Sequence, residues 1–188
     1  MLDYFALLGE PRRAWIDPEQ LKQKFLELSQ STHPDRAQTP QERAGAQERY
    51  TGLNSAYQTL REPKERLAHL IELETGSKPT TIQTAPRDLM DLFLQIGTTL
   101  READKFLEEK RRSTSPLLQV GLFNRAQEFT ERIQEMQQEV QRRISSAEDT
   151  LKKAQQPHVE ELEATYRTFS YLSRWSAQLQ ERIVQLAI

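Results

Sequence analysis

Apolar residues recur along this chain at steps of three and four, the spacing of one face of an α-helix. The pattern stops at a few polar or proline-bearing breaks. Leu21, Phe25 and Leu28 form a first stripe, and Ala46, Tyr50, Leu53, Tyr57 and Leu60 a second. Leu67, Leu70 and Ile71 turn inward on a third run, with Gly76 as its stop. A short apolar segment, DYFALLG, precedes them, with Asp3 as N-cap and Gly9 as terminator. Asp17-Pro18 opens the next helix: aspartate caps the free amides, and proline at the first helical position gives up only a donor that had no partner there. That helix must end near Thr32, because Pro34 disfavours helical geometry at His33. The following helix starts after Thr39-Pro40-Gln41-Glu42. The two helices are joined by a short connection and are therefore expected to run antiparallel.

Beyond Gly76 the pattern lapses through TGSKPTTIQTAPR and then resumes in three longer runs. The first carries Leu89, Leu92, Phe93, Ile96, Leu100, Ala103 and Leu107, and Ser113 to Pro116 breaks it. The second, from Leu122 to Gln156, holds neither Gly nor Pro and predicts roughly 50 Å of helix. The third runs from Val159 through Tyr166, Phe169 and Leu179 to Leu186. Each is amphipathic, and a three-helix bundle buries all three faces. The expectation is an all-α protein. Four helices occupy residues 1–75, the middle two as an antiparallel hairpin; residues 76–87 are a linker; and an antiparallel three-helix bundle occupies 88–188.

Composition narrows the function. With 188 residues, 36% hydrophobic and 29% charged, the chain suits long surface helices better than a large buried sheet. It has no cysteine, which excludes disulfides, thiolate catalysis and zinc–thiolate sites. The first twenty residues carry charges throughout, unlike a signal peptide, and no run reaches the ~18 apolar residues of a membrane span, so a cytoplasmic protein is expected. A net charge of −2 offers no field to attract nucleic acid.

The candidate chemistry sits in STHPDR, residues 31–36, at the tip of the hairpin. His33 and Asp35 are close enough to interact, but no serine dyad, glycine-rich phosphate loop or metal-ligand spacing accompanies them. His69 and His158 are isolated. Neither an enzyme nor a cofactor or metal site is expected. Two readings remain from the residues alone: an ordinary turn, since Pro and Asp are turn formers, or a rigid tip that presents a ring and a carboxylate to a partner.

HPD between two antiparallel helices, preceded by DYFALLG and followed by LNSAYQTL, resembles the J domain of DnaJ-type co-chaperones. Combined with a C-terminal helical bundle, and with LNSAYQTLREPKERLAHLIEL and RTFSYLSRWSAQLQERIVQL, the chain is similar to the HscB-type co-chaperones of iron–sulfur cluster assembly. The absence of cysteine matches the bacterial type. The resemblance implies that His33, Pro34 and Asp35 meet the ATP-bound form of a DnaK/HscA-type chaperone and promote hydrolysis. It further implies that Lys22, Lys24 and Arg36 supply a positive face, and that the bundle binds an IscU-type scaffold through Leu89, Met90, Phe93 and Tyr171. Three departures stand out: Thr32 precedes HPD where the family often has Tyr; Glu19 and Glu27 offset the positive face; and Leu94, Gly97 and Arg101 stand where the family usually has Glu, while a shifted alignment brings Glu102 or Asp104 into play. Leu89 and Phe93 also fit the core spacing of their own helix, whereas Met90 lies off it. The residues leave a second possibility open, in which the near-heptad spacing over 122–151 makes a coiled-coil dimer and the J domain serves a different client. A monomer is expected on the first reading and a dimer on the second.

Overall fold

The structure is a computed structural model. It describes all residues except 1, 34, 36–38, 81–85, 114–115, 155–156 and 188, together with the side chains of 116–119. Among the described residues it contains α-helices and short 3-10 segments, and no strand. The helices are α1 (Tyr4–Leu7), α2 (Pro18–Ser31), α3 (Pro40–Arg61), α4 (Pro63–Thr75), α5 (Met90–Arg112), α6 (Pro116–Lys153) and α7 (Val159–Ala187), with the turn Arg87–Leu89 leading into α5.

The helix starts follow local chemistry. Asp3 accepts from the amides of Phe5 and Ala6, and Asp17 from those of Glu19 and Gln20. Thr39 and Glu42 form a reciprocal capping box: the Thr39 hydroxyl takes the Glu42 amide, and the Glu42 carboxylate takes the Thr39 amide. Pro40 therefore begins α3, three residues ahead of the start read from the sequence. Gly76 ends α4 at φ 76°, a left-handed conformation that a side chain would strain, and its amide returns to the Glu72 carbonyl.

The chain divides into two compact units. The first comprises Met1–Thr81 with Glu148–Tyr166, so the end of α6 and the start of α7 belong with α1–α4. Its buried residues include Phe5, Leu8, Ile16, Leu21, Leu53, Ala56, Leu60, Leu67 and Ile71, with Leu151 and Leu162 from the later stretch. Phe25 of α2 stacks on Tyr57 of α3, ring centroids 4.3 Å apart and 10° from parallel. Nearer the tip, His33 meets Tyr50. Because position rises along α2 as it falls along α3, the two arms run antiparallel, as the short connection requires.

Buried polar groups tie the first unit together. Arg66 on α4 is almost wholly buried. Its Nε donates to the Ala14 carbonyl and its Nη1 to the Leu60 carbonyl, both at 2.8 Å. Burial pushes its pKa down to about 10, against the opposing pull of the Glu148 and Glu62 carboxylates. His69 is equally enclosed. Its Nε2 accepts the Tyr4 amide at 3.1 Å, and its ring stacks on Phe5 at 12°. In the later stretch, the Lys152 ammonium lies 4.8 Å from the centroid of Trp15.

The second unit comprises Ile82–Ala147 with Arg167–Ile188. Leu89, Leu92, Ile96, Ala103 and Phe106 from the α5 side pack with Leu122, Ala126, Ile133 and Val140 of α6 and with Leu172, Trp175, Leu179 and Leu186 of α7. Arg132–Glu102 and Arg182–Asp104 ion pairs link neighbouring helices at the surface. The apolar stripe of α6 that a coiled-coil dimer would need is covered here from within the chain. Phe93 is a correction to the expected core face. It lies outside, while Leu92 and Thr99 hold the inward positions, so the core follows 89, 92, 96, 99, 103 and 106.

Candidate functional site

The tip of the α2–α3 hairpin is built from the end of α2. The Thr32 amide and hydroxyl both donate to the Leu28 carbonyl, at 3.1 and 2.7 Å, and the Ser31 hydroxyl adds a third bond at 2.8 Å. These bonds satisfy a carbonyl that the helix end would otherwise leave open. Thr32 is thus committed to closing the helix. The aromatic contact at the tip comes from the opposite arm, where Tyr50 meets the His33 ring edge-on, 5.5 Å between centroids and 73° between planes.

His33 and Asp35 are both exposed, their side chains at 45% and 88% of full accessibility. The Asp35 amide donates to Nδ1 of His33 at 3.3 Å. The same Nδ1 stands 3.6 Å from Asp35 Oδ2, which would be an ion pair only if Nδ1 carried a proton. The two contacts exclude one another, since a nitrogen that accepts the amide proton has none to give. The 3.6 Å separation is beyond hydrogen-bonding range, so the backbone amide is the ring's hydrogen-bond partner here. The Asp35 carboxylate is exposed to solvent. Pro34 and Arg36, also read as contact residues, lie outside the described residues.

The two α2 lysines separate. Lys22 is exposed, and among the described residues no carboxylate pairs with it. Lys24 is turned inward. Its ammonium donates to the Gly9 carbonyl at 3.1 Å and stands 2.7 Å from Oε1 of Glu10, a carboxylate almost without solvent. The contact to Glu10 is ionic and misaligned as a hydrogen bond, since Oε1 has no hydrogen-bond partner of proper geometry. The charge is matched within the chain, on a side chain that stays 41% exposed, and it fastens the loop after α1 to α2.

The four residues read as client contacts also separate. Leu89 and Tyr171 are in the core of the second unit. The Tyr171 ring packs near Trp175 and under the Arg174 guanidinium. Met90 and Phe93 are 37% and 42% exposed, and the Phe93 ring lies 6.2 Å from Trp175. Beside them Leu94, not read as a contact from the sequence, is 58% exposed. Three neighbouring apolar side chains at the start of α5 therefore face solvent. Among the described residues no cluster of His, Asp or Glu could hold a metal ion, and no helix is long and apolar enough to cross a membrane.

The sequence pattern that defines the DnaJ domain matches residues 3–69. Residues 3–69 are a J domain. It carries His33 and Asp35 on the hairpin that packs against α1. The chain is also 36% identical over 103 residues to the Co-chaperone protein HscB of Proteus mirabilis (strain HI4320), a match that covers 54% of this chain and 58% of that relative. The match thus spans little more than half the length of the curated relative. The likeness of fold extends further. Chaperone HscB from Vibrio cholerae superposes with a TM-score of 0.57 at 19% identity, over 98% of this chain and 99% of that one. Human co-chaperone protein HscB gives 0.58 at 20% identity, over 100% and 83%. This is a J-domain protein of HscB-like architecture, with the J domain followed by a helical bundle.

Proposed function

We propose that the chain is a co-chaperone of iron–sulfur cluster assembly that acts through its hairpin tip on a DnaK/HscA-type chaperone and presents an IscU-type scaffold to it through the start of α5. The observation that carries the reading is the tip itself: within a J domain, His33 and Asp35 are both exposed one residue apart, next to the Thr32 cap that closes α2, with the His33 ring against Tyr50 of α3. Asp35, with its carboxylate exposed, is suited to receive an arginine of the chaperone bidentately. His33, buttressed by Tyr50, supplies shape and a hydrogen bond. Pro34 and Arg36 complete the contact, and Lys22 guides the encounter. The tip performs no chemistry of its own; it stimulates hydrolysis by binding the hydrolysis-competent arrangement of the chaperone better than the others, which is a shift of population.

Client delivery rests on Met90 and Phe93, joined by Leu94, because these present apolar surface that the bundle does not use. Leu89 and Tyr171 support that surface from beneath. The test of the tip is Asp35→Asn, assayed by stimulation of an HscA-type chaperone's ATPase. On so exposed a turn the change should alter stability by no more than roughly 0.5 kcal/mol, while stimulation disappears. Undiminished stimulation with the Asn variant would overturn the mechanism.

A further inference from the structure

Along α5, the positions directly opposite the core are Met90, Leu94, Gly97, Arg101 and Lys105, spaced by three and four residues. The stripe begins apolar and turns basic. Helical side chains lean toward the N-terminus of their helix, and Arg101 does so: its Nη1 lies over Gly97, 3.9 Å from where a Cβ there would stand. Nη2 donates to the Thr98 hydroxyl at 3.2 Å, which holds the guanidinium in that pose. The cation therefore sits about one turn from Leu94.

The carboxylates that could neutralise it are engaged elsewhere. Asp104 pairs with Arg182, Glu102 with Arg132, and Glu108 faces Arg112 at 3.8 Å. Among the described residues no carboxylate pairs with Arg101 or Lys105. Asp88 and Asp91 lie off the stripe at the start of α5, where a negative charge matches the helix dipole. A guanidinium has five N–H donors in a fixed fork, and Thr98 occupies one.

We propose that this stripe receives an acidic segment of the client. An apolar side chain would seat on Met90, Phe93 and Leu94, and a carboxylate would be taken by Arg101, with Lys105 adding positive charge at the rim. The three-residue rise from Leu94 to Gly97 is about 4.5 Å, so the anchor and the acid lie within one turn of a helix, or two residues of an extended strand, on the partner. The inference rests on the reading of α5 as the client surface and adds the sign of the client's charge. A basic segment would meet the unpaired cation and be rejected, which is how such a surface discriminates.

The test is calorimetric titration of the full chain with a purified IscU-type scaffold at low and high salt, using the unaltered protein, Arg101→Glu, Arg101→Gln and Met90→Ala. Arg101→Glu should weaken binding by about tenfold or more, and Arg101→Gln should weaken it less while flattening the salt dependence. Both should melt as the unaltered protein does and stimulate the chaperone's ATPase equally, since Arg101 lies outside the J domain. If Met90→Ala weakens binding while Arg101→Glu binds as tightly as, or tighter than, the unaltered chain, the acidic client is overturned and the apolar anchor survives. If the unaltered chain does not bind the scaffold at all, the client reading itself falls, and this inference with it.

Discussion

Arg66→Met should destabilise the first unit by about 1 kcal/mol, and Arg66→Lys by at least as much. Arg66 reaches the buried carbonyls of both Ala14 and Leu60, 52 and 6 residues away in sequence. Methionine replaces its apolar stem and strands both acceptors. Each stranded buried acceptor costs about 1–3 kcal/mol. Against this, methionine removes a cation whose burial is itself unfavourable. The lowering of its pKa to about 10 measures that penalty at roughly 3 kcal/mol, and its Nη2 finds no acceptor. The stranded carbonyls win by a modest margin. Lysine keeps the burial penalty, lacks the planar fork and satisfies at most one carbonyl, so the charge-preserving change is not the mild one. Urea unfolding followed by circular dichroism reads the differences directly from the midpoints and slopes. A Met variant within about 0.5 kcal/mol of the unaltered protein, or a Lys variant clearly more stable than the Met variant, would refute the reasoning.

Two further outcomes follow from the buried charges. Burial lowers the pKa of His69 below its ordinary value, with the Asp3 and Glu72 carboxylates opposing and the Arg12 cation assisting. The fold favours the neutral ring, because Nε2 must accept the Tyr4 amide. The stability that His69 contributes is complete above the ordinary histidine pKa of about 6.5 and is lost as pH falls through the lower folded value. Denaturant midpoints between pH 7 and pH 5 should therefore decline, and His69→Gln should flatten the decline; an unchanged slope counts against it. Lys24→Ala should cost about 1–3 kcal/mol, because it removes one of the two cations beside the buried Glu10. Lys22→Ala should leave stability alone and slow chaperone association at low salt, and identical melts for the two variants would show that Lys24 is as free as Lys22.

Much of the fold was legible because its signals are local. Asp3, Asp17-Pro18, Thr39 with Glu42, and Gly76 each mark a helix end through a partner no more than four residues away. The hairpin tip was legible for the same reason, since its reactive-looking side chains are consecutive. The face of α5 was less so. Leu92, Phe93 and Leu94 form an apolar run, and periodicity alone does not say which of three neighbours points inward; packing against α6 and α7 chooses Leu92 and leaves the other two outside. Arg66, His69 and Glu10 gave no sequence signal, because what makes them structural is a partner brought near by folding: Ala14, Tyr4 and Lys24. The lysines of α2 illustrate the same limit. Lys22 and Lys24 are two residues apart, and only the position of Glu10 separates a solvated cation from a fastened one. Tyr50 was read as one more residue on an apolar face; its contact with His33 gives it a second use at the site.

The first unit is assembled from two separated stretches of chain, and synthesis delivers them at different times. A ribosome adding about 5–20 residues per second exposes α1–α4 and then spends on the order of several seconds on the intervening residues before Glu148–Tyr166 emerges. Throughout that interval Trp15 lacks Lys152, Arg66 lacks the nearby charge of Glu148, and the apolar positions of Leu151 and Leu162 are unfilled. The nascent head is therefore unfinished until most of the bundle has been translated. A chain stalled before that point would carry its HPD motif on a unit that lacks these contacts, so the order of translation itself delays completion of the first unit until residues 82–147 have been made.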